Sequence, residues 1–449
     1  MKVKTPIADF VRDYAAGDGV RLHMPGHKGA GDIERFDITE IDGADSLYDA
    51  SGIIRESEEA ASALFGCPTF YSAEGSSLCI RAMLYLATAN AGAARPLVLA
   101  ARNVHRSFIY AAALLDIDVR WLVGRETSYL SCRPTPRELE CELAAMEREG
   151  LRPAAVYITS PDYLGYVADV GRLADVCRAR GLPLLVDNAH GAYFGFCQNT
   201  VHPITLGAAL VCDSAHKTLP VLTGGAYLHV SPSAPREYLE NARRAMALFG
   251  STSPSYLILR SLDLANARLG GELPAAFCQT AKALAALRAR LDDMGMVTVG
   301  DEPLKLTLLT KKWGYIGSEV SAHLGKFGMV PEFYDDDYLV MMLSPNNGED
   351  VTERICSALG RLPRRDAINI APPSVGHGER VMTLRRAVLS PCERVSVDEA
   401  LGRVTADPGV SCPPAVPIAV PGEVINGAAV SAFKYYKYNE CIVVKDSCM

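Results

Sequence analysis

Apolar and polar positions alternate along the middle of the chain in a way that predicts strands followed by helices. Short apolar runs end abruptly in polar loops at residues 69–72, 97–100, 154–159, 184–186 and 208–211. Between these runs, apolar residues recur every three or four positions, which is typical of amphipathic helices. This alternation predicts an α/β fold, with a mostly parallel sheet covered by helices on both faces.

The loops that follow the predicted strands carry most of the chemically active side chains. Parallel strands end at one edge of their sheet, and α/β proteins bind ligands there. The loops contribute Ser76, Ser77, His105, Asp187, His190, Ser214, His216 and Lys217. The pattern therefore predicts a single site at the carboxyl edge of the sheet.

The second half of the chain predicts two further parts. Apolar runs at 305–310 and 339–343 predict strands of a small α/β domain, and residues 413–423 are too rich in proline for a central strand. The predicted organisation is an N-terminal arm over 1–56, a large domain over 57–270, a small domain over 271–362 and a C-terminal domain over 363–449.

Composition and charge narrow the function to small-molecule chemistry. The 449 residues are 49% hydrophobic and 22% charged, and a net charge of −7 gives no general attraction to nucleic acid or anionic membranes. No apolar run approaches the ~18 residues of a membrane span, and the N-terminus lacks an apolar core of signal-peptide length. Thirteen scattered cysteines, with no C-x-x-C pair and no metal-ligand spacing, predict reduced thiols in the cytoplasm and no metal.

Lysine, aspartate and hydroxyl side chains at this edge suit one cofactor. Taken alone, Lys217 could be a solvated loop charge, and Ser76 an ordinary helix cap. Together, an amine nucleophile, a carboxylate thirty positions before it and hydroxyls at a helix amino terminus meet the requirements of pyridoxal 5′-phosphate. The motifs of P-loop proteins, α/β-hydrolases and H-E-x-x-H metalloproteases are absent from the sequence.

Six separated segments carry a resemblance to a known family. They are residues 23–28, 75–77, 103–107, 186–192, 214–219 and 421–423. In these segments the chain resembles the ornithine/lysine/arginine decarboxylase family of fold type I pyridoxal phosphate enzymes, in its short bacterial form. The resemblance implies an aspartate aminotransferase-like large domain, a small domain and a C-terminal extension.

The resemblance also implies a role for each site residue. Lys217 would hold the cofactor as a Schiff base, Asp187 would pair with the pyridine nitrogen, and His105 would stack on the ring. Ala189 would lie against the ring face with His190 nearby. The expected phosphate contacts are Ser76, Ser77, Ser214 and His216. Glu423 would meet the cationic end of the substrate.

Three positions depart from the family's pattern. Asn188 stands where the family has glutamate, Glu74 stands where it commonly has asparagine, and Gly224 replaces a glutamine. None of them touches the predicted lysine or ring partner. Cofactor binding is therefore expected to survive, while substrate choice is open.

The implied function is decarboxylation of arginine, lysine or ornithine to agmatine, cadaverine or putrescine, in polyamine metabolism. The family implies a homodimer or a higher homo-oligomer, in which the N-terminal loop or residues 251–253 complete the neighbour's site. The alternatives are another pyridoxal phosphate reaction, such as that of an aminotransferase, a C–S lyase or an aldolase, or a non-catalytic protein of the same fold.

Overall fold

The computed structural model describes residues 3–92, 94–124, 128–375, 377–409 and 413–448. The helices are α1 (Pro6–Ala16), α2 (Ile53–Phe65), α3 (Gly75–Thr88), α4 (Arg106–Leu114), α5 (Pro136–Arg148), α6 (Val170–Ala179), α7 (Ala215–Thr218), α8 (Arg236–Phe249), α9 (Tyr256–Leu269), α10 (Leu273–Asp293), α11 (Gly317–Gly325), α12 (Val351–Gly360), α13 (Leu384–Leu389) and α14 (Gly427–Tyr435). The strands are β1 (Thr69–Ser72), β2 (Leu97–Ala101), β3 (Asp118–Leu122), β4 (Ala155–Thr159), β5 (Leu184–Asp187), β6 (Leu210–Asp213), β7 (Ala226–Val230), β8 (Thr298–Val299), β9 (Lys305–Leu309), β10 (Phe333–Tyr334), β11 (Tyr338–Met342), β12 (Cys392–Ser396) and β13 (Glu440–Val444).

The chain divides into two compact units, which are described separately. The first consists of Met1–Gly92, Ala154–Ser160 and Val170–Phe277. The second consists of Ala93–Pro153, Pro161–Asp169 and Cys278–Met449. No helix among the described residues is long and apolar enough to cross a membrane.

The first unit contains the strands that carry the predicted lysine and aspartate. Its strand order is β1-β7-β6-β5-β4, with parallel pairing between β4 and β5 and between β5 and β6. Strand β7 runs antiparallel to both of its neighbours. Four of these five strands therefore point the same way, as the alternating pattern predicted.

Burial explains why these strands read as continuous apolar runs. Every residue of β5 and β6 is buried, including the carboxylates Asp187 and Asp213 that end them. A parallel strand covered on both faces has no solvent side to fill with polar residues. The switch from apolar to charged residues therefore marks the strand ends themselves.

The second unit contains three groups of strands. Strands β2 and β3 pair in parallel, β10-β11-β9-β8 form an antiparallel sheet, and β12 pairs antiparallel with β13. The predicted strands at 305–310 and 339–343 are confirmed as β9 and β11, whose Leu306 and Leu339 pack in one apolar core. The proline-rich residues 413–423 contain no strand, and Glu423 forms only an isolated bridge with Arg380.

Asp45 organises the loop that leads into α2 of the first unit. Its carboxylate accepts backbone N–H bonds from Ser46, Ser51, Gly52, Ile54 and Arg55. Burial by itself would raise the pKa of Asp45, but the backbone donors lower it below its usual value. The carboxylate of Asp45 therefore holds the loop through its hydrogen bonds to the backbone.

We expect Asp45→Asn to lower the free energy of unfolding by about 1–3 kcal/mol at neutral pH, because an amide NH₂ would face backbone donors. Because the pKa of Asp45 is lower in the folded than in the unfolded protein, the ionised carboxylate stabilises the fold above about pH 3.9, the usual pKa of an aspartate. This contribution is lost as the pH falls through the pKa of Asp45 in the folded protein. Urea denaturation at several pH values measures the free energy of unfolding of Asp45→Asn and of wild type. Asp42→Asn, at an exposed position, is the control. If the difference in unfolding free energy between wild type and Asp45→Asn did not shrink at acidic pH, the result would contradict the role of the Asp45 carboxylate in holding the loop.

Candidate active site

Two neighbouring strand ends place the predicted aspartate beside the lysine loop. Asp187 ends β5 and pairs in register with Cys212 of β6. Strand β6 ends at Asp213, Ser214 follows, and Lys217 lies in the single turn of α7. Parallel pairing therefore brings Asp187 and the Ser214–Lys217 segment to the same edge of the first unit's sheet, although thirty residues separate them in the chain.

The side chain of Lys217 contacts a histidine from the Asp187 loop. Lys217 Nζ lies 3.1 Å from His190 Nε2, and the His190 side chain is buried. A neutral imidazole nitrogen accepts a hydrogen bond from an ammonium and can also receive its proton. The pair thus links the predicted nucleophile to a group able to change its protonation.

Asp187 is a buried carboxylate with weak hydrogen-bond donors. It accepts bonds from Ala189 N–H at 3.2 Å, the Tyr157 hydroxyl at 3.3 Å and the Cys212 thiol at 3.6 Å. Burial raises the pKa of Asp187, while the positive charge of Lys217 acts in the opposite direction. A further cationic partner, such as a protonated ring nitrogen, would favour the ionised carboxylate.

Hydroxyl groups collect at the amino terminus of α3. This helix begins at Gly75, and Ser76 and Ser77 occupy its first turn. Ser214 Oγ donates to Ser76 Oγ at 2.8 Å, which joins the lysine loop to the helix. Hydroxyls and backbone N–H groups at a helix amino terminus form the donor set that a phosphate requires.

His216 faces the backbone on the other side of the lysine loop. Its Nδ1 lies 3.0 Å from the carbonyl oxygen of Gly225, so this nitrogen carries a proton. Burial lowers the pKa of His216, which the hydrogen bond to Gly225 opposes. The ring is therefore held in one orientation beside Lys217.

Gly224 supports the same helix start through its backbone. Its carbonyl oxygen accepts the Gly75 N–H at 2.6 Å, and its φ of +102° lies in the region that favours glycine. A Cβ at this position would lie 2.9 Å from the Ala73 carbonyl oxygen and 3.0 Å from Ile258 Cδ1. A glutamine at position 224 would therefore require a different backbone.

The other two departures also have partners in this chain. Glu74 Oε1 accepts the Ser251 N–H at 2.5 Å, which ties residue 251 to the start of α3. Asn188 Nδ2 donates to Asp213 Oδ1 at 2.7 Å. A glutamate at position 188 would place a second carboxylate near Asp213.

Two predicted site residues belong to the second unit, and their roles stay predictions. His105 caps α4, and its Nδ1 accepts the Ser107 N–H at 3.2 Å. Glu423 is buried, and its Oε2 accepts from Arg102 Nη2 at 3.1 Å and from Val420 N–H at 3.0 Å. Within this chain the carboxylate of Glu423 is therefore paired with an arginine.

Comparison with known protein families decides the assignment. Residues 5–298 match the Orn/Lys/Arg decarboxylase major domain, and residues 379–444 match the C-terminal domain of the same family. The chain belongs to the Orn/Lys/Arg decarboxylase family. The decarboxylase is thus a pyridoxal phosphate-dependent enzyme of fold type I, as the sequence predicted.

Individual relatives cover nearly the whole decarboxylase. The arginine decarboxylase of Bacillus subtilis is 26% identical over 465 residues, covering 95% of this chain and 92% of that protein. The arginine decarboxylase of Halalkalibacterium halodurans is 27% identical over 469 residues, covering 94% and 91%.

Solved structures share the fold of the decarboxylase. The lysine decarboxylase of Francisella novicida has a TM-score of 0.80 at 16% identity, covering 99% of this chain and 81% of that one. The constitutive lysine decarboxylase of Escherichia coli has a TM-score of 0.75 at 17% identity, covering 99% and 82%.

The residues of the first unit fit this cofactor. Lys217 offers an amine, Asp187 a buried carboxylate, and Ser76 and Ser214 hydroxyls at a helix amino terminus. The Thr218 hydroxyl in the same loop is buried without a hydrogen-bond partner, which is the condition of a group that awaits a polar ligand.

Sequence reasoning overlooked Asp213, His202 and His229, which form a buried cluster next to the site. A signal for two of them was present. An aspartate directly follows the apolar residues 208–212, and a histidine lies inside the apolar run that becomes β7. Polar residues in such apolar surroundings are uncommon in protein cores.

We expect Gly224→Ala to weaken cofactor binding, because the added Cβ would collide with the Ala73 carbonyl and shift the Gly75 contact. The strain should lower the free energy of unfolding by about 1–3 kcal/mol. The dissociation constant for pyridoxal phosphate, measured by titrating the apo-protein, should rise.

The matched control is Gly19→Ala, because a Cβ at Gly19 would meet no atom within 4 Å. Unchanged cofactor affinity in Gly224→Ala, at the level of the control, would contradict the proposed contribution of Gly224 to the phosphate end of the site.

Proposed function

We propose that this decarboxylase converts arginine to agmatine, with lysine and ornithine as the other candidate substrates. The observation that carries the proposal is the position of Lys217 beside His190, on the strand end next to Asp187. The choice of arginine is supported by the names of the relatives that cover more than nine-tenths of the chain.

The first unit supplies the groups that hold and activate the cofactor. When bound, pyridoxal phosphate supplies a protonated ring that withdraws electrons from the bond to the departing carboxyl group. Lys217 would hold the cofactor covalently through its amine. Asp187 would keep the ring nitrogen protonated by charge pairing.

His190 is proposed to accept a proton from Lys217 and to return it. Attack by Lys217 requires the neutral amine, and the usual pKa of a lysine is about 10.4. His190 Nε2, at 3.1 Å from Nζ, is placed to take that proton and to return it.

The remaining predicted residues bind and orient the cofactor. Ser76, Ser77, Ser214 and His216 are proposed to hold the phosphate. Ala189 is proposed to lie against the ring face, and His105 to stack on it.

Glu423 is proposed to recognise the cationic end of the substrate. Both of its described hydrogen bonds, from Arg102 and Val420, end on Oε2. We propose Oε1 as the acceptor for the substrate cation. Arg102 already shows that a guanidinium fits against this carboxylate, which favours arginine among the three basic amino acids.

The proposal also covers the oligomeric state of the enzyme and its cellular location. We propose a homodimer or a higher homo-oligomer, since Val20, Leu22 and Met24 of the N-terminal arm are 83%, 89% and 69% exposed. The twelve cysteines within the described ranges form no disulfide, in keeping with a reducing cytoplasm. Agmatine production would serve polyamine metabolism.

We expect the purified enzyme to release CO₂ and agmatine from arginine, with kcat/KM about tenfold or more above that for lysine or ornithine, since one well-placed polar contact is worth about this factor. Product analysis by mass spectrometry, together with CO₂ release, measures it. Formation of keto acids or of sulfide products would point instead to an aminotransferase or a C–S lyase.

We expect Lys217→Ala to abolish the cofactor's visible absorbance and the activity together. Asp187→Asn, which keeps the side-chain shape, should lower kcat by about a hundredfold or more, because it removes a preorganised charge from the reacting system. An Asp187→Asn enzyme with near-normal turnover would contradict the assignment of Asp187 to the pyridine nitrogen.

A further inference from the structure

A fully buried carboxylate lies directly between β6 and the cofactor loop. Asp213 has 0% exposure and accepts three side-chain hydrogen bonds. Its Oδ1 accepts from Asn188 Nδ2 at 2.7 Å, and its Oδ2 accepts from His202 Nε2 and His229 Nε2, both at 3.1 Å. One carboxylate therefore joins the exit loop of β5, the segment around residue 202, the end of β6 and strand β7.

The surroundings of the two histidines define where their protons lie. His202 Nδ1 accepts the Ile204 N–H at 3.3 Å, so the proton of the neutral ring is on Nε2 and points to Asp213. His229 Nδ1 lies 2.9 Å from the Thr69 hydroxyl, and burial lowers the pKa of His229. Both rings therefore direct Nε2 at the carboxylate, which accepts a hydrogen bond from each.

Asp213 is the charged member of this cluster. Burial by itself would raise the pKa of Asp213, but the two histidines lower it below the usual value. A buried charge is costly unless donors surround it, and here three donors do so.

A metal ion is a competing explanation for two histidines and an aspartate in close proximity. Binding a metal through Nε2 would require the proton of His202 to move to Nδ1, which already faces the N–H of Ile204. Two donors would then point at one another inside the protein. The geometry thus favours a hydrogen-bonded cluster over a metal site.

The cluster touches the cofactor site through its chain neighbours. Asn188 directly follows Asp187, and Asp213 directly precedes Ser214, whose hydroxyl contacts Ser76. The backbone reinforces the link, because Asn188 N–H donates to the Cys212 carbonyl at 2.9 Å. Any shift between positions 188 and 213 would change the separation of Asp187 and Ser214.

We propose that Asp213, paired with Asn188, is a positioning residue that fixes the distance between the ring partner Asp187 and the phosphate contact Ser214. The inference rests on the roles proposed above for Asp187 and Ser214. The pair is complementary: one position carries the amide and the other the carboxylate, and two carboxylates in this place would repel each other.

The reciprocal exchange of the two side chains tests the proposal. Asn188→Asp sets two carboxylates against each other, and the dissociation constant of pyridoxal phosphate should rise about tenfold or more. In the double variant Asn188→Asp/Asp213→Asn, the amide at 213 can donate to position 188 while its oxygen still accepts from both histidines. Affinity in the double variant should return to within about threefold of wild type.

The measurements are cofactor titration of the apo-proteins by fluorescence quenching, the visible spectrum of the bound cofactor and the thermal midpoint of each apo-protein. Asn241→Asp, on α8, is the charge-matched control, and its affinity should equal that of wild type. If Asn188→Asp acted only through a general loss of stability, the reciprocal exchange would not restore cofactor affinity. If it acted by breaking the contact between positions 188 and 213, the exchange would restore that affinity.

Three results would overturn the proposal. They are wild-type affinity in Asn188→Asp, a double variant no better than that single variant, and stoichiometric zinc in the wild-type protein. If Asn188→Asp does not fold, Asp213→Asn takes its place: weaker cofactor binding with cooperative unfolding supports the proposal, and wild-type affinity overturns it. Failure of the proposed function would be distinguishable, because the wild-type protein itself would then lack a Lys217-dependent cofactor spectrum.

Discussion

Two adjacent strands that end in buried carboxylates impose the main constraint on the decarboxylase. Asp187 ends β5 and Asp213 ends β6, and both have 2% exposure or less. A buried negative charge must be matched by donors or by positive charge. The arrangement of the loops around the site follows from how each of the two charges is matched.

The two carboxylates are matched in different ways. Asp213 is satisfied inside the protein by Asn188, His202 and His229, and its pKa is lowered. Asp187 has only longer hydrogen bonds and burial raises its pKa, so an added cation would favour its ionised form. The charge of Asp213 stabilises the framework, while Asp187 is the carboxylate that we propose as partner of the cofactor's ring nitrogen.

The fold and the positions of Asp187 and Lys217 within it were predictable because they depend on local patterns. Apolar runs that break into polar loops located β5 and β6 to within two residues, and placed Asp187 and Lys217 at strand ends. The Asn188–Asp213 contact was not predictable, because it depends on the register between strands whose residues lie 25 positions apart. The pairing of Arg102 with Glu423, across 321 positions, has the same origin.

The three residues that depart from the family's pattern each have a hydrogen-bond partner in the first unit. Glu74 accepts the Ser251 N–H, Gly224 accepts the Gly75 N–H with a φ that favours glycine, and Asn188 donates to Asp213. Each departing residue contacts another loop of the first unit and none replaces the lysine or the ring partner. The three departing residues are therefore part of the hydrogen-bonding framework of this chain's own loops.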